Sequence, residues 1–169
     1  MDEGGIERIM TSNNAMIGSD GLPEDSHPHP RLWGTFPRVL GHYARDRQVL
    51  PMHDAVNRMT GLPAENFHLA GRGMLKPGFF ADVTIFNHDT IIDLATFEKP
   101  KQKSLGVEQV IVNGKTAWVD GKCFGVGLLC ATTLGTIRRN ISIPRAGKCS
   151  GTSATYPGVH SSGSSSPTS

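Results

Sequence analysis

The spacing of apolar residues changes near Gly71, and this change limits the possible folds more than any other feature of the sequence. Before Gly71, apolar residues recur at positions i, i+3, i+4 and i+7, as in Phe36, Val39, Leu40 and Tyr43. Such spacing places one apolar stripe along a helix. After Gly71, apolar and polar residues alternate, which is typical of strands. The sequence therefore predicts helices with one strand, followed by a small all-β unit.

The helical stripes predict where the helices begin and end. The stripe described above starts beside Pro37, so we expect that helix to begin around this proline, a residue suited to the first helical turn. Two further stripes predict helices across residues 6–10 and 52–59. The second of these has Pro51 at its start and Gly61 beyond its end, which are ordinary start and stop signals.

The all-β unit carries a strong hairpin signal. The dipeptide Asn113-Gly114 separates two strand-like runs, and it tolerates the positive φ angles of a type I′ turn. Asp120-Gly121 predicts a second turn directly after the hairpin. Residues 81–86 alternate between apolar and polar side chains and predict an earlier strand.

A single carboxylate, that of Asp20, follows a short apolar run at residues 15–17, and Gly21 allows the backbone to turn there. The run predicts a buried strand. An ionised Asp at the carboxyl end of a strand lies where α/β enzymes place their chemistry. Asp-Gly is also an ordinary turn dipeptide, so these residues alone leave both interpretations open.

The loop across residues 23–37 contains four prolines, which should make it stiff and extended. Within it, His27-Pro28-His29 has the spacing of a metal-binding pair. The central proline favours an extended backbone, which would point the two imidazoles to opposite sides. We therefore favour hydrogen-bonding or substrate-side roles for these histidines over joint zinc ligation.

Residues 27–36 read His-Pro-His-Pro-Arg-Leu-Trp-Gly-Thr-Phe, a segment far more discriminating than the Lys-Pro-Gly turn at residues 76–78 or the Ala-Asp-Val run at residues 81–83. Together with Gly-Ser-Asp-Gly-Leu-Pro at residues 18–23, these motifs resemble the N-acyl-D-amino-acid deacylases, or D-aminoacylases, of the amidohydrolase superfamily. The similarity ends near residues 112–114 and covers about the first three quarters of the chain.

The resemblance implies an α/β plus β fold in which the barrel is incomplete. Residues 1–68 would form the last βα unit of a (β/α)8 amidohydrolase barrel, and residues 69–124 would form strands of a composite β-sandwich domain. Residues 125–169 would be a divergent tail, and its composition predicts disorder. A complete barrel needs about 250 residues, whereas this chain has 169. We therefore expect a carboxyl-terminal fragment, or the product of a split or misread gene.

The resemblance also implies a chemistry, namely metal-dependent hydrolysis of the amide bond of N-acyl-D-amino acids to a carboxylate and a D-amino acid. Asp20 would be the catalytic carboxylate that moves the proton, either alone or also as a weak metal contact. Arg31 and His29 would lie on the substrate side, although Arg31 could equally cap or brace the loop. Zinc is the implied cofactor, but most of its ligands belong to family segments that have no counterpart here.

Three functional hypotheses follow from these observations. The chain is either the end-piece of a D-aminoacylase that needs a separate N-terminal half to act on its small-molecule substrate, or a catalytically inactive truncated remnant of such an enzyme. A ring-opening activity of the dihydroorotase or dihydropyrimidinase type is a third hypothesis. The loop at residues 27–36 disfavours that third hypothesis.

Composition excludes several other classes. The net charge is +2 and no Lys/Arg cluster is present, so we expect no nucleic-acid partner. The sequence has no run of about 18 apolar residues, so we expect no membrane span. Three cysteines without zinc-type spacing predict reduced thiols and a cytoplasmic location.

Overall fold

The computed structural model describes residues 2–22 and 26–124. The predicted tail at residues 125–169 lies outside the described residues. The described part contains four α-helices, one π-helical segment and four strands. In chain order they are α1 (Glu3–Met10), α2 (Arg31–Arg38), the π-helical segment (Val39–Asp46), α3 (Met52–Met59), α4 (Gly61–Asn66), β1 (Val83–Phe86), β2 (Val107–Val112), β3 (Lys115–Val119) and β4 (Lys122–Cys123).

The first helix, α1, confirms the prediction at residues 6–10. Asp2 caps it, because its carboxylate accepts a hydrogen bond of 2.8 Å from the backbone N–H of Gly5. Glu3 lies in the first turn and Arg8 in the last, so both charges complement the helix dipole.

The helix predicted to start at Pro37 starts instead at Arg31, so Pro37 lies in its interior. Proline has no N–H, so Pro37 cannot donate to the carbonyl of Trp33, four residues earlier. Ser104 Oγ, far along the chain, donates to that carbonyl over 3.3 Å. Beyond Pro37 the helix continues in the wider π form, and the Arg47 N–H donates to the His42 carbonyl at 2.9 Å.

The helix predicted across residues 52–59 is confirmed as α3, with Pro51 directly before it. Gly61 was expected to end the helical region, but in the structure it begins α4. Pro63 lies in the first turn of α4, where its missing N–H costs the helix nothing. Thr60, with φ −132° and ψ −80°, forms the break between the two helices.

The core forms where the helices meet the connection between β1 and β2. The π-helical segment contributes Val39, Leu40 and Tyr43, and Ile91 enters from the connection with no exposed surface. A side chain at Gly41 would collide with the carbonyl of Ile91, so only glycine permits this close approach. The remaining buried members of the core are Met10, Phe36, Ala44, Leu50, Ala55 and Met59.

The four strands form one antiparallel sheet in the order β1-β2-β3-β4. The predicted hairpin is confirmed, because Asn113 and Gly114 both have positive φ, of 51° and 74°, between β2 and β3. Asp120 and Gly121 repeat this geometry between β3 and β4, with φ of 48° and 77°.

The strand predicted at residues 15–17 is wrong for this structure. The segment is extended but belongs to no strand ladder. Its contacts are with α3, since the Ile17 N–H donates to the Arg58 carbonyl at 3.0 Å and Arg58 Nη1 donates to the Ala15 carbonyl at 3.0 Å. A strand requires a neighbour of the same kind, and no described segment supplies one.

Two further expectations have outcomes in the described residues. Cys123 is the cysteine among them and is disulfide-bonded, so the prediction of reduced thiols is wrong for this residue. Among the residues that the structure describes, no helix combines the length and the apolar character that a bilayer span requires.

Candidate active site

Asp20 occupies an unusual backbone conformation, with φ of +47°. Asp is one of the few non-glycine residues that enter this region readily. Directly after it, the backbone of Gly21 packs against the first turn of α2, where an added Cβ would lie 2.8 Å from the Cα of Leu32. Close packing of Gly21 on α2 therefore fixes the position of the Asp20 backbone relative to α2.

Arg31, the first residue of α2, holds Asp20 at two points. Its Nε donates to the Asp20 carbonyl at 2.9 Å, and its Nη2 lies 3.0 Å from Oδ2 of the Asp20 carboxylate. The Asp20 side chain is 81% exposed and that of Arg31 is 41% exposed, so the ion pair itself is worth about 0–1 kcal/mol. The value of this contact is therefore geometric, because it fixes both the backbone and the side chain of Asp20.

The two loop histidines have separate partners. His29 Nδ1 accepts a hydrogen bond of 3.0 Å from the Arg31 N–H, and the His29 ring contacts the Phe97 ring edge-on at 4.9 Å. His27 Nε2 donates to the Phe97 carbonyl at 2.7 Å, while Pro28 between them is fully buried. Because its Nδ1 accepts, neutral His29 carries its proton on Nε2.

The described residues do not fit a zinc ion on their own. Nowhere among residues 2–22 and 26–124 do three or more His, Cys, Asp or Glu side chains come together in a metal-binding group. A zinc site needs about three protein ligands. Asp20 faces Arg31 rather than a second ligand, so zinc beside Asp20 would need ligands from outside the described residues.

A second polar cluster, which sequence patterns did not predict, lies beside the core. Asp93 is 10% exposed and lies 3.5 Å from Arg38 Nη1, and Glu3 lies 3.4 Å from His42 Nε2. A hydrogen bond from Tyr43 lowers the pKa of Glu3, and burial raises the pKa of Tyr43. No local motif could have predicted this cluster, because its members come from four separate parts of the chain: α1, α2, the π-helical segment and the β1–β2 connection.

Comparison with known proteins assigns the sequence that carries this site to a family. The sequence matches the profile of the amidohydrolase family over residues 6–117, which include Asp20, Arg31 and the loop between them. The chain belongs to the amidohydrolase family. It is 56% identical over 118 residues to a D-aminoacylase of Alcaligenes xylosoxydans xylosoxydans, a match that covers 70% of this chain and 24% of the relative.

Two solved structures from this family resemble the chain closely. One is a D-aminoacylase with a binuclear metal centre, 50% identical with a TM-score of 0.73, of which 27% matches 78% of this chain. The other is the N-acyl-D-glutamate deacylase of Bordetella bronchiseptica in complex with zinc and a phosphonate inhibitor, 48% identical with a TM-score of 0.70. That match covers 71% of this chain and 25% of the deacylase. The chain thus spans about a quarter of the length of the amidohydrolases it matches.

Proposed function

We propose that this chain is the carboxyl-terminal part of a metal-dependent amidohydrolase that cleaves N-acyl-D-amino acids to a carboxylate and a D-amino acid. One observation carries the proposal. An exposed carboxylate, that of Asp20, is held at two points by Arg31 inside residues 6–117, which match the amidohydrolase family, in a chain that is 56% identical over 118 residues to a D-aminoacylase.

The proposed division of the chain follows its architecture. Residues 1–68 would form the end of a barrel and residues 69–124 part of a composite β-sandwich. Support comes from the extended segment at residues 15–20, whose side chains alternate between partial burial and exposure, as those of a strand do. In the complete enzyme we propose that this segment pairs with strands supplied by a separate N-terminal half.

Asp20 would act as the general acid–base of the reaction. An ionised carboxylate can accept a proton from the attacking water and then deliver it to the leaving nitrogen. Arg31 would meet the substrate carboxylate, since a guanidinium binds carboxylates at two points. In the structure two of its nitrogens contact Asp20, so substrate binding would exchange one carboxylate for the other and release the Asp20 oxygen that must take the proton.

His29 would lie beside the substrate through its remaining ring nitrogen. Its Nδ1 is engaged by the backbone of Arg31, so in the neutral ring Nε2–H is available to donate a hydrogen bond. Zinc would require ligands from the separate half, with Asp20 as at most a weak further contact, because the described residues form no group of three ligands.

A catalytically inactive remnant is the second candidate, and the same lack of a ligand group favours it. Co-expression separates the two. We would combine the chain with the portion of the Alcaligenes D-aminoacylase that it does not match, supply zinc, and measure D-amino acid released from N-acetyl-D-amino acids. The N-acetyl-L-amino acids serve as the control substrate. Release by the pair, and not by either piece alone, supports the proposal, whereas a co-purifying zinc-loaded pair without activity contradicts it.

A further inference from the structure

We propose that Phe97, in the connection between β1 and β2, is a positioning residue for Asp20. Phe97 is 67% exposed, and both its ring and its carbonyl contact a histidine of the loop. The catalytic significance of this inference rests on the proposed role of Asp20, but the positioning itself can be measured without any substrate.

Phe97 contacts both histidines of the loop. His27 Nε2 donates to its carbonyl at 2.7 Å, and the His29 ring meets its ring at 4.9 Å with an interplanar angle of 78°. Edge-to-face contacts of this kind favour one orientation of the two rings over others. The Phe97 carbonyl therefore fixes the distance between the loop and the β1–β2 connection, and the Phe97 ring fixes the rotation of the His29 imidazole.

His29 passes this orientation to the candidate site. Its Nδ1 accepts from the Arg31 N–H at 3.0 Å, a donor that α2 itself leaves without a partner in its first turn. The Arg31 side chain then grips the carbonyl and the carboxylate of Asp20. Three successive contacts thus join Phe97 to Asp20, and each consists of groups within hydrogen-bonding or ring-contact distance.

The connection is rigid enough to serve as a reference for the loop. Ile91 is fully buried against the π-helical segment, and Ser104 Oγ donates to the Trp33 carbonyl. Asp93 lies 3.5 Å from Arg38 and also packs against Gly34, where an added Cβ would lie 3.0 Å from the Asp93 Cβ. The segment that carries Phe97 is therefore anchored to α2 independently of the histidines.

Nuclear magnetic resonance of the whole chain tests the proposal through the Arg31 Nε–H signal, which the Arg31→Lys variant identifies. Phe97→Ala should move this signal to the position typical of solvated arginines. It should also speed amide exchange at residues 20–22 and 29–34 by about tenfold, as expected for local loosening. Phe97→Tyr retains the ring, so both the Arg31 Nε–H signal and the amide exchange rates should stay at the values of the parent chain. Leu94→Ala removes another exposed apolar residue of the same connection and should change neither.

Two results would overturn the proposal. One is an unchanged Arg31 Nε–H signal, with exchange at both segments within about twofold of the parent chain. The other is equal acceleration in the β2–β3 hairpin, because Phe97 would then stabilise the whole fold rather than position the loop. Both measurements use the substrate-free chain, so a zinc-loaded complemented pair that fails to hydrolyse N-acyl-D-amino acids would refute the proposed function and leave this test intact.

Discussion

At the scale of single residues, Asp20 carries the chemical proposal and is the first target for substitution. In the complemented enzyme, Asp20→Asn should lower kcat by roughly a hundredfold or more, because an amide cannot accept a proton. Zinc content should remain nearly unchanged, since asparagine keeps the shape and an oxygen. Turnover assays with elemental analysis measure both quantities, and Asp54→Asn, at an exposed position on α3, is the matched control. Near-full activity of Asp20→Asn would leave Asp20 with a turn-forming role only.

The glycine of the predicted hairpin allows a prediction on stability. Gly114 has φ of +74°, and the nearest atom to an added Cβ is 4.0 Å away, so only the backbone conformation opposes a side chain there. Gly114→Ala should therefore lower the free energy of unfolding by about 1 kcal/mol. Gly4→Ala, in α1 and equally open to space, should raise it by up to about 1 kcal/mol. Chemical denaturation measures both, and equal signs would contradict the argument.

Which residues meet was harder to predict than which residues matter. Asn113-Gly114 was predictable, because its turn depends only on adjacent residues. Asp20 and Arg31 were both singled out, but their contact across eleven positions depends on the close packing of Gly21 on Leu32. No spacing rule contains that information. Pro37 misled the prediction of a helix start because the helix begins at Arg31 and continues beyond the proline in the π form.

At the scale of elements, the attachment of α1 should depend on pH. The hydrogen bond from Tyr43 lowers the pKa of Glu3 from its ordinary value of 4.5. A carboxyl whose pKa is lower in the folded state stabilises that state above its unfolded pKa, and this contribution is lost as the pH falls through the folded pKa. Amide protection in α1 should therefore decrease as the pH falls below about 4.5.

The variant Tyr43→Phe isolates the cause of that dependence. It removes the hydroxyl donor and keeps the buried ring, so the Glu3 pKa should rise toward its ordinary value and α1 should lose protection at a higher pH. A carboxyl-detected titration of Glu3 follows the pKa directly. An identical titration curve in the parent chain and in Tyr43→Phe would show that another group, such as His42 at 3.4 Å, holds the carboxylate.

The sequence predicted α1, α3 and the π-helical segment through their apolar stripes, because burial of a stripe is the main source of helix stability, whereas α4 was not predicted. The strand at residues 15–17 could not be predicted reliably by the same logic. A helix satisfies its own backbone, whereas a strand depends on a neighbour. The backbone of Ile17 and Ala15 bonds to Arg58 instead.

At the scale of the whole molecule, we expect the isolated chain to bind no stoichiometric zinc and to release no D-amino acid. The described residues form no group of three ligands. Elemental analysis after dialysis and an enantiomer-specific amino-acid assay check the two parts separately. One zinc per chain together with measurable turnover would contradict the prediction.

We also expect the isolated chain to self-associate and to bind apolar dyes. Large apolar side chains are exposed in several segments between the helices and strands, among them Phe67 at 66%, Leu75 at 84% and Leu22 at 60%. Exposed apolar surface of this kind promotes association. We expect strong binding of an apolar dye, and expect it to fall when the complementary D-aminoacylase portion is added. Weak dye binding by a monomer with a sharp thermal transition would argue against this view.

The bond from Ser104 to the Trp33 carbonyl has a consequence for the order in which the chain can mature. The two residues are 71 positions apart in the chain, so this hydrogen bond cannot form until both residues have left the ribosome. Before then, the Trp33 carbonyl lacks both the Ser104 hydroxyl and the N–H that any residue other than proline would carry at position 37. Pro37→Ala would supply a donor for that carbonyl from within the helix, in competition with Ser104, while buried Ile91 and the contact of Asp93 with Arg38 would still hold the β1–β2 connection against the helix.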